Sequence, residues 1–137
     1  MAPGRRQQPG PSVEEVARVA DFRAALRTFL RRSERIGRAS GLTPQRYLLL
    51  LMIKGAPGEH STVTELAERL QLAQSTVTEL VARAEDVGLI ERESSSEDGR
   101  VAHLRLTAEG ERRFARSFTS LEAERRHLRD AIARLDG

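Results

Sequence analysis

The 137-residue chain contains no cysteine. Disulfide bonds, a thiolate nucleophile and a peroxide switch built on a thiol are therefore excluded. Long apolar runs are missing as well. The longest, residues 47–53, is far short of the roughly 20 residues needed to cross a bilayer. Residues 1–11 hold Pro, Gly, Gln and Arg instead of a basic start followed by an apolar stretch, so no export signal is read. That segment is expected to be a disordered tail, and the expected location is the cytoplasm. Lysine is almost absent: of 23 basic residues only Lys54 is not arginine, and the pI of about 10.4 overstates a net charge of only +3.

The groupings that mark enzymes are also missing. His60, His103 and His127 are far apart and show no ligand spacing such as H-E-x-x-H, so no metal is expected. The carboxylates have arginine partners one helical turn away, as Glu14 has Arg18, which is the pattern of a solvated helix face. Glycines fall singly at element ends and form no phosphate-cradling loop. The chain is expected to be a single domain, not an enzyme, and to hold no cofactor.

What is present is a dense order of structural signals in residues 61–107. Thr62, Val63, Thr64 and Glu65 form a capping box, in which the threonine hydroxyl takes the Glu65 amide and the glutamate returns to the threonine amide. Val63, Leu66, Ala67 and Leu70 then recur at helical spacing. Residues 71–74 separate this face from a second periodic run of Val77, Leu80, Val81, Ala84 and Val87, a gap suited to two helices crossing steeply. Gly88 ends the second helix where a left-handed backbone is needed. Residues 89–93 and 101–106 read as strands joined by the turn-forming residues 94–99. Alternation puts Ala102, Leu104 and Leu106 on one face and Val101, His103 and Arg105 on the other. Helix, turn, helix and hairpin make a winged helix-turn-helix, mainly α with a small β wing.

The flanks are helical. Ser12 to Glu15 is another capping box, and Val16, Val19, Ala20, Phe22, Leu26, Phe29 and Leu30 form a stripe that continues to Ile36 and stops at Gly41. Thr43 and Pro44 restart a helix whose residues 47–53 are apolar on every side, which predicts a central core helix. Thr107 caps a last segment in which Phe114, Phe118, Leu121, Leu128, Ile132 and Leu135 follow alternating steps of four and three once Arg125 fills the remaining position. The seam has no clear break, so one long helix is allowed in place of two.

Three stretches together resemble the multiple-antibiotic-resistance regulator (MarR) family of bacterial transcription factors. They are TVTELAERL, then QSTVTELVARAEDVGLIERE, then Asp98-Gly99-Arg100 leading into Leu104, Arg105, Leu106, Thr107, Ala108, Glu109 and Gly110. The resemblance covers roughly residues 12–135 and is strongest over 61–110. It implies a homodimeric, DNA-binding repressor or activator, often released from its operator by a small aromatic effector. It also divides residues 12–137 into a winged helix-turn-helix, 43–107, and dimerisation helices, 12–42 and 108–135. Gln74, Ser75, Thr76, Thr78, Glu79 and Arg83 would face the DNA major groove, with Arg92 beside them and Arg100, oriented by Asp98, in the minor groove. Glu79 departs from the basic or neutral residue common there. Val16, Val19, Phe22, Phe114, Phe118, Leu121, Leu128, Ile132 and Leu135 would form the dimer seam, and the helix from Phe22 to Arg38 with Arg46, Tyr47 and Leu50 to Lys54 an effector cleft.

One feature of the charge pattern opposes this reading. Residues 1–42 carry 9 basic and 4 acidic side chains, residues 43–107 carry 7 and 10, and residues 108–137 carry 7 and 6. The expected DNA-binding segment is thus net −3, whereas phosphate neutralisation favours a basic surface. The competing expectation is a winged helix that binds a basic protein partner and no DNA.

Overall fold

The computed structural model describes Gly4 and residues 9–94 and 101–136. Among the described residues six helices and one hairpin follow in order: α1 Val13–Ala39, α2 Pro44–Lys54, α3 Val63–Leu70, α4 Gln74–Asp86, β1 Ile90–Ser94, β2 Ala102–Leu106, α5 Ala108–Ser120 and α6 Glu122–Leu135. A single 3-10 turn, Pro57–Glu59, lies between α2 and α3. The mainly helical, winged architecture is the one expected from the sequence.

Local chemistry sets the helix starts. Ser12, Thr43, Thr62 and Thr107 each accept the amide of the residue three positions on, at 3.0–3.2 Å. Each such cap is worth about 1 kcal/mol. The box at Thr62 closes differently from expectation: the Glu65 carboxylate accepts the Thr62 hydroxyl at 3.1 Å, so both halves of the contact use one oxygen. Gly41 and Gly88 adopt φ of +81° and +76°, and turn the chain after α1 and α4. Between α3 and α4 the left-handed residue is Gln71, at φ 55°, a role that its side chain does not announce.

The core forms where α2, α3, α4, the hairpin and the start of α5 converge. Leu49, Leu50, Ile53, Leu66, Val77, Val81, Leu89 and Leu104 are fully buried there. β1 and β2 pair antiparallel, with Ile90 opposite Leu106 and Arg92 opposite Leu104. A separate bridge, Ser61 with Leu104, stitches the hairpin to the segment entering α3. Lys54 adds a polar tie, its Nζ lying 3.0 Å from the carboxylates of both Glu59 and Glu111. Hydrogen bonds to Glu111 and then Glu59 hold this ammonium above its usual range.

The last segment is two helices, not one. The break is the single residue Leu121, whose amide is shared by the carbonyls of Ser117 and Phe118 and whose side chain is almost fully buried. The physical cause is divided attachment: Phe114 of α5 packs into the core beside α2, whereas α6 lies along α1. Among the described residues no helix is long and apolar enough to cross a membrane.

Candidate nucleic-acid interface

The interface is built from α4 upward. With Val77, Val81 and Ala84 committed to the core, Gln74, Ser75, Thr76, Thr78, Glu79, Ala82 and Arg83 are left exposed on the opposite side. Gln74 Nε2 donates to Thr64 Oγ1 at 3.2 Å, joining the start of α4 to the first turn of α3. Thr78 Oγ1 donates to the Gln74 carbonyl at 2.8 Å. Ala73, at the N-cap, supplies no side-chain cap, so the first amides of α4 keep their capacity to meet an anion.

Glu79 and Arg83 form an i,i+4 pair at 2.6 Å, with both side chains about two-thirds exposed. An exposed pair of this kind is worth only about 0–1 kcal/mol, so it opens readily for a better partner. Arg92, 46% exposed, approaches α4 from the hairpin. It lies opposite Leu104 in the ladder and therefore shares the inner face of the hairpin, where its Nε donates to Glu85 Oε1 at 2.8 Å beside the last turn of α4. Asp98 and Arg100, expected at the wing tip, lie outside the described residues.

A second feature is an apolar cavity of about 240 Å³ between α1, α2 and the α5–α6 junction. Phe29, Leu30, Ser33 and Glu34 line it from α1, Pro44, Tyr47, Leu48 and Leu51 from α2, and Phe118, Leu121 and Arg125 from the junction. Of the residues expected in an effector cleft, Tyr47, Leu51 and four residues of α1 are on this wall. Leu50 is fully buried in the core and Arg46 is not among the lining residues. The cation at the cavity is instead Arg125, whose guanidinium carbon sits 3.9 Å over the Phe118 ring and whose Nη1 is buried without a hydrogen bond. An arginine interrupting an otherwise apolar seam is the sequence signal that points to it.

Tyr47 stacks on Phe114 with ring centroids 5.8 Å apart. Burial raises its phenol above the usual value near 10, and the charge of Arg125 offsets part of that rise. The neutral phenol is thus the form the fold favours, and the associated stability is present at neutral pH and lost as pH climbs through the folded-state value. Tyr47 is the only tyrosine, so an ultraviolet phenolate titration reports it alone. The expected midpoint is higher in the folded protein than in urea; equal midpoints would mean the ring is solvated.

The seam residues divide. Phe114 and Leu121 are spent inside the chain, and Phe22, Leu128 and Leu135 are half-buried. Val16, Val19, Phe118 and Ile132 remain exposed, at 40–51%.

Comparison with known proteins places this arrangement. The sequence model described as MarR family matches residues 40–101. The HTH-type transcriptional repressor MdtR of Bacillus subtilis is 37% identical over 76 residues, covering 54% of this chain and 46% of the relative. The chain spans about half the length of the curated relatives it matches. Among solved structures, AbsC from Streptomyces coelicolor, a MarR family transcriptional regulator, superposes with a TM-score of 0.71 at 22% identity, over 90% of this chain and 84% of that one. The M. tuberculosis transcriptional regulator MOSR, solved in complex with DNA, gives 0.56 at 28% identity, over 71% and 68%.

Proposed function

We propose that this chain is a member of the MarR family of winged-helix transcriptional regulators, and that it binds duplex DNA in a sequence-specific way as a homodimer and represses transcription from an approximately palindromic operator. The observation that carries this reading is the exposed face of α4, where short amide and hydroxyl side chains from Gln74 to Thr78 surround uncapped helix amides. Such side chains reach base edges and phosphates without blocking entry to the major groove. The MOSR complex with DNA and the repressor role of MdtR support the same assignment by kinship.

The dimer is supported by Val16, Val19, Phe118 and Ile132, which one chain leaves in water. A two-fold pair would set two α4 helices in successive major grooves, about 34 Å apart. Glu79 tempers the affinity, since Arg83 must leave it before meeting a phosphate. Weak non-specific binding and strong salt dependence follow. The cavity suits a small aromatic effector whose acidic end reaches Arg125 and whose ring lies among Phe29, Leu51 and Phe118. Its binding would release the operator.

The test is selection from random duplexes at moderate salt, with the wild type and Arg100→Ala side by side. An enriched inverted repeat is expected, bound about 1–3 kcal/mol more weakly by the variant, which loses its minor-groove contact. Equal affinities would remove Arg100 from the mechanism. The absence of any enriched sequence would overturn the DNA reading in favour of a basic protein partner.

A further inference from the structure

His60 and His103 lie 43 positions apart in the chain, yet their Nδ1 atoms are 3.1 Å apart and their rings meet edge to face. The approach is imposed by the backbone. Each histidine directly precedes a member of the Ser61–Leu104 bridge, in which Ser61 N donates to Leu104 O at 3.1 Å and Leu104 N to Ser61 O at 2.7 Å. Gly58 makes room: a methyl group there would stand 2.9 Å from His60 Nε2. Both rings are half-buried.

We propose that this pair is a binding site for a borderline divalent transition-metal ion of the zinc, nickel or copper class. Imidazole nitrogens about 2.0–2.1 Å from one ion, at angles of roughly 95–110°, lie about 3.0–3.4 Å apart, which brackets the observed spacing. A turn of each ring about its last side-chain bond aims both lone pairs at one point, and the bridge holds the two α-carbons meanwhile. Among the described residues no third histidine, cysteine or carboxylate is already in place. A carboxylate that can supply a third ligand is Glu93, directly opposite His103 in the ladder and on the same face. Its carboxylate is 3.2 Å from Arg105 Nε, and that nitrogen has no well-directed hydrogen bond, so the pairing is loose. Water completes the shell. Nitrogen ligands with one carboxylate favour these ions over magnesium or calcium.

An ion held here ties the segment before α3 to the stem of the hairpin. Binding is intrinsic to the DNA-free chain, so its test is independent of the DNA reading. Untagged protein is titrated with Ni²⁺ by calorimetry, alongside His60→Gln, His103→Gln and a control, His127→Gln. One ion per chain is expected, with affinity about tenfold or more weaker in the first two variants and unchanged in the third. Because Ni²⁺ is paramagnetic, proton spectra of the wild type give a second reading that needs no variant: two of the three histidine Hε1 signals broaden first. No saturable binding, unaltered affinity in both variants, or equal broadening of all three signals would overturn the proposal and leave a histidine hydrogen bond only.

Discussion

Replacing Gly110 by alanine is expected to cost about 3 kcal/mol or more of folding stability, although it adds a single methyl group to a helix. The new Cβ would lie 2.1 Å from the carbonyl oxygen of Leu89. That oxygen is backbone and already accepts the Thr107 amide at 3.0 Å, and the Leu89 side chain is fully buried, so neither side can yield cheaply. Elsewhere in a helix the change from glycine to alanine is favourable by up to about 1 kcal/mol, so the sign of the effect is diagnostic. Urea unfolding of the variant measures it. A loss below about 0.5 kcal/mol would mean that α5 does not rest on the end of α4 as described. Gly10, where an added methyl group would meet nothing within 4 Å, is the matching control.

Leu50→Ala is expected to be nearly as damaging, at about 2–5 kcal/mol, because it empties a position with no exposure in the centre of α2. Leu48→Ala, two residues earlier and 44% exposed at the cavity, is expected to stay within about 1 kcal/mol. Denaturation curves for the two variants decide which face of α2 is core. Comparable losses would contradict the placement.

Leu50 also shows where the sequence stops being informative. An apolar helix with no polar face has no phase, so its burial is predictable but its orientation is not. The resemblance therefore puts Leu50 beside Leu51 in the cleft, which Leu51 and Leu48 line while Leu50 turns into the core. The four hydroxyl caps and the turns at Gly41 and Gly88 were legible because each depends on residues within one turn of the chain. The facing of the second strand was legible because alternation fixes which of its residues must be covered, with Leu104 and Leu106 buried. Three features depend on partners remote in sequence and left no local trace: the Arg92–Glu85 pair, the meeting of His60 with His103, and the withdrawal of Phe114 and Leu121 from the seam. The break at Leu121 belongs with them, since neither glycine nor proline marks it.

That one-residue break has a mechanical consequence. Below it, α5 is seated on the end of α4 through Gly110 and Leu89; above it, α6 runs with α1. Leu121 thus joins a helix seated on the end of α4 to a helix that runs with α1, and the 240 Å³ cavity lies against it. α5 has 13 residues and so forms a lever arm of about 20 Å. A rotation of about 5° at Leu121 would sweep its far end through nearly 2 Å by that length. A displacement of that size separates a seated hydrogen bond from a broken one, and the far end of α5 is where Thr107 N donates to the Leu89 carbonyl.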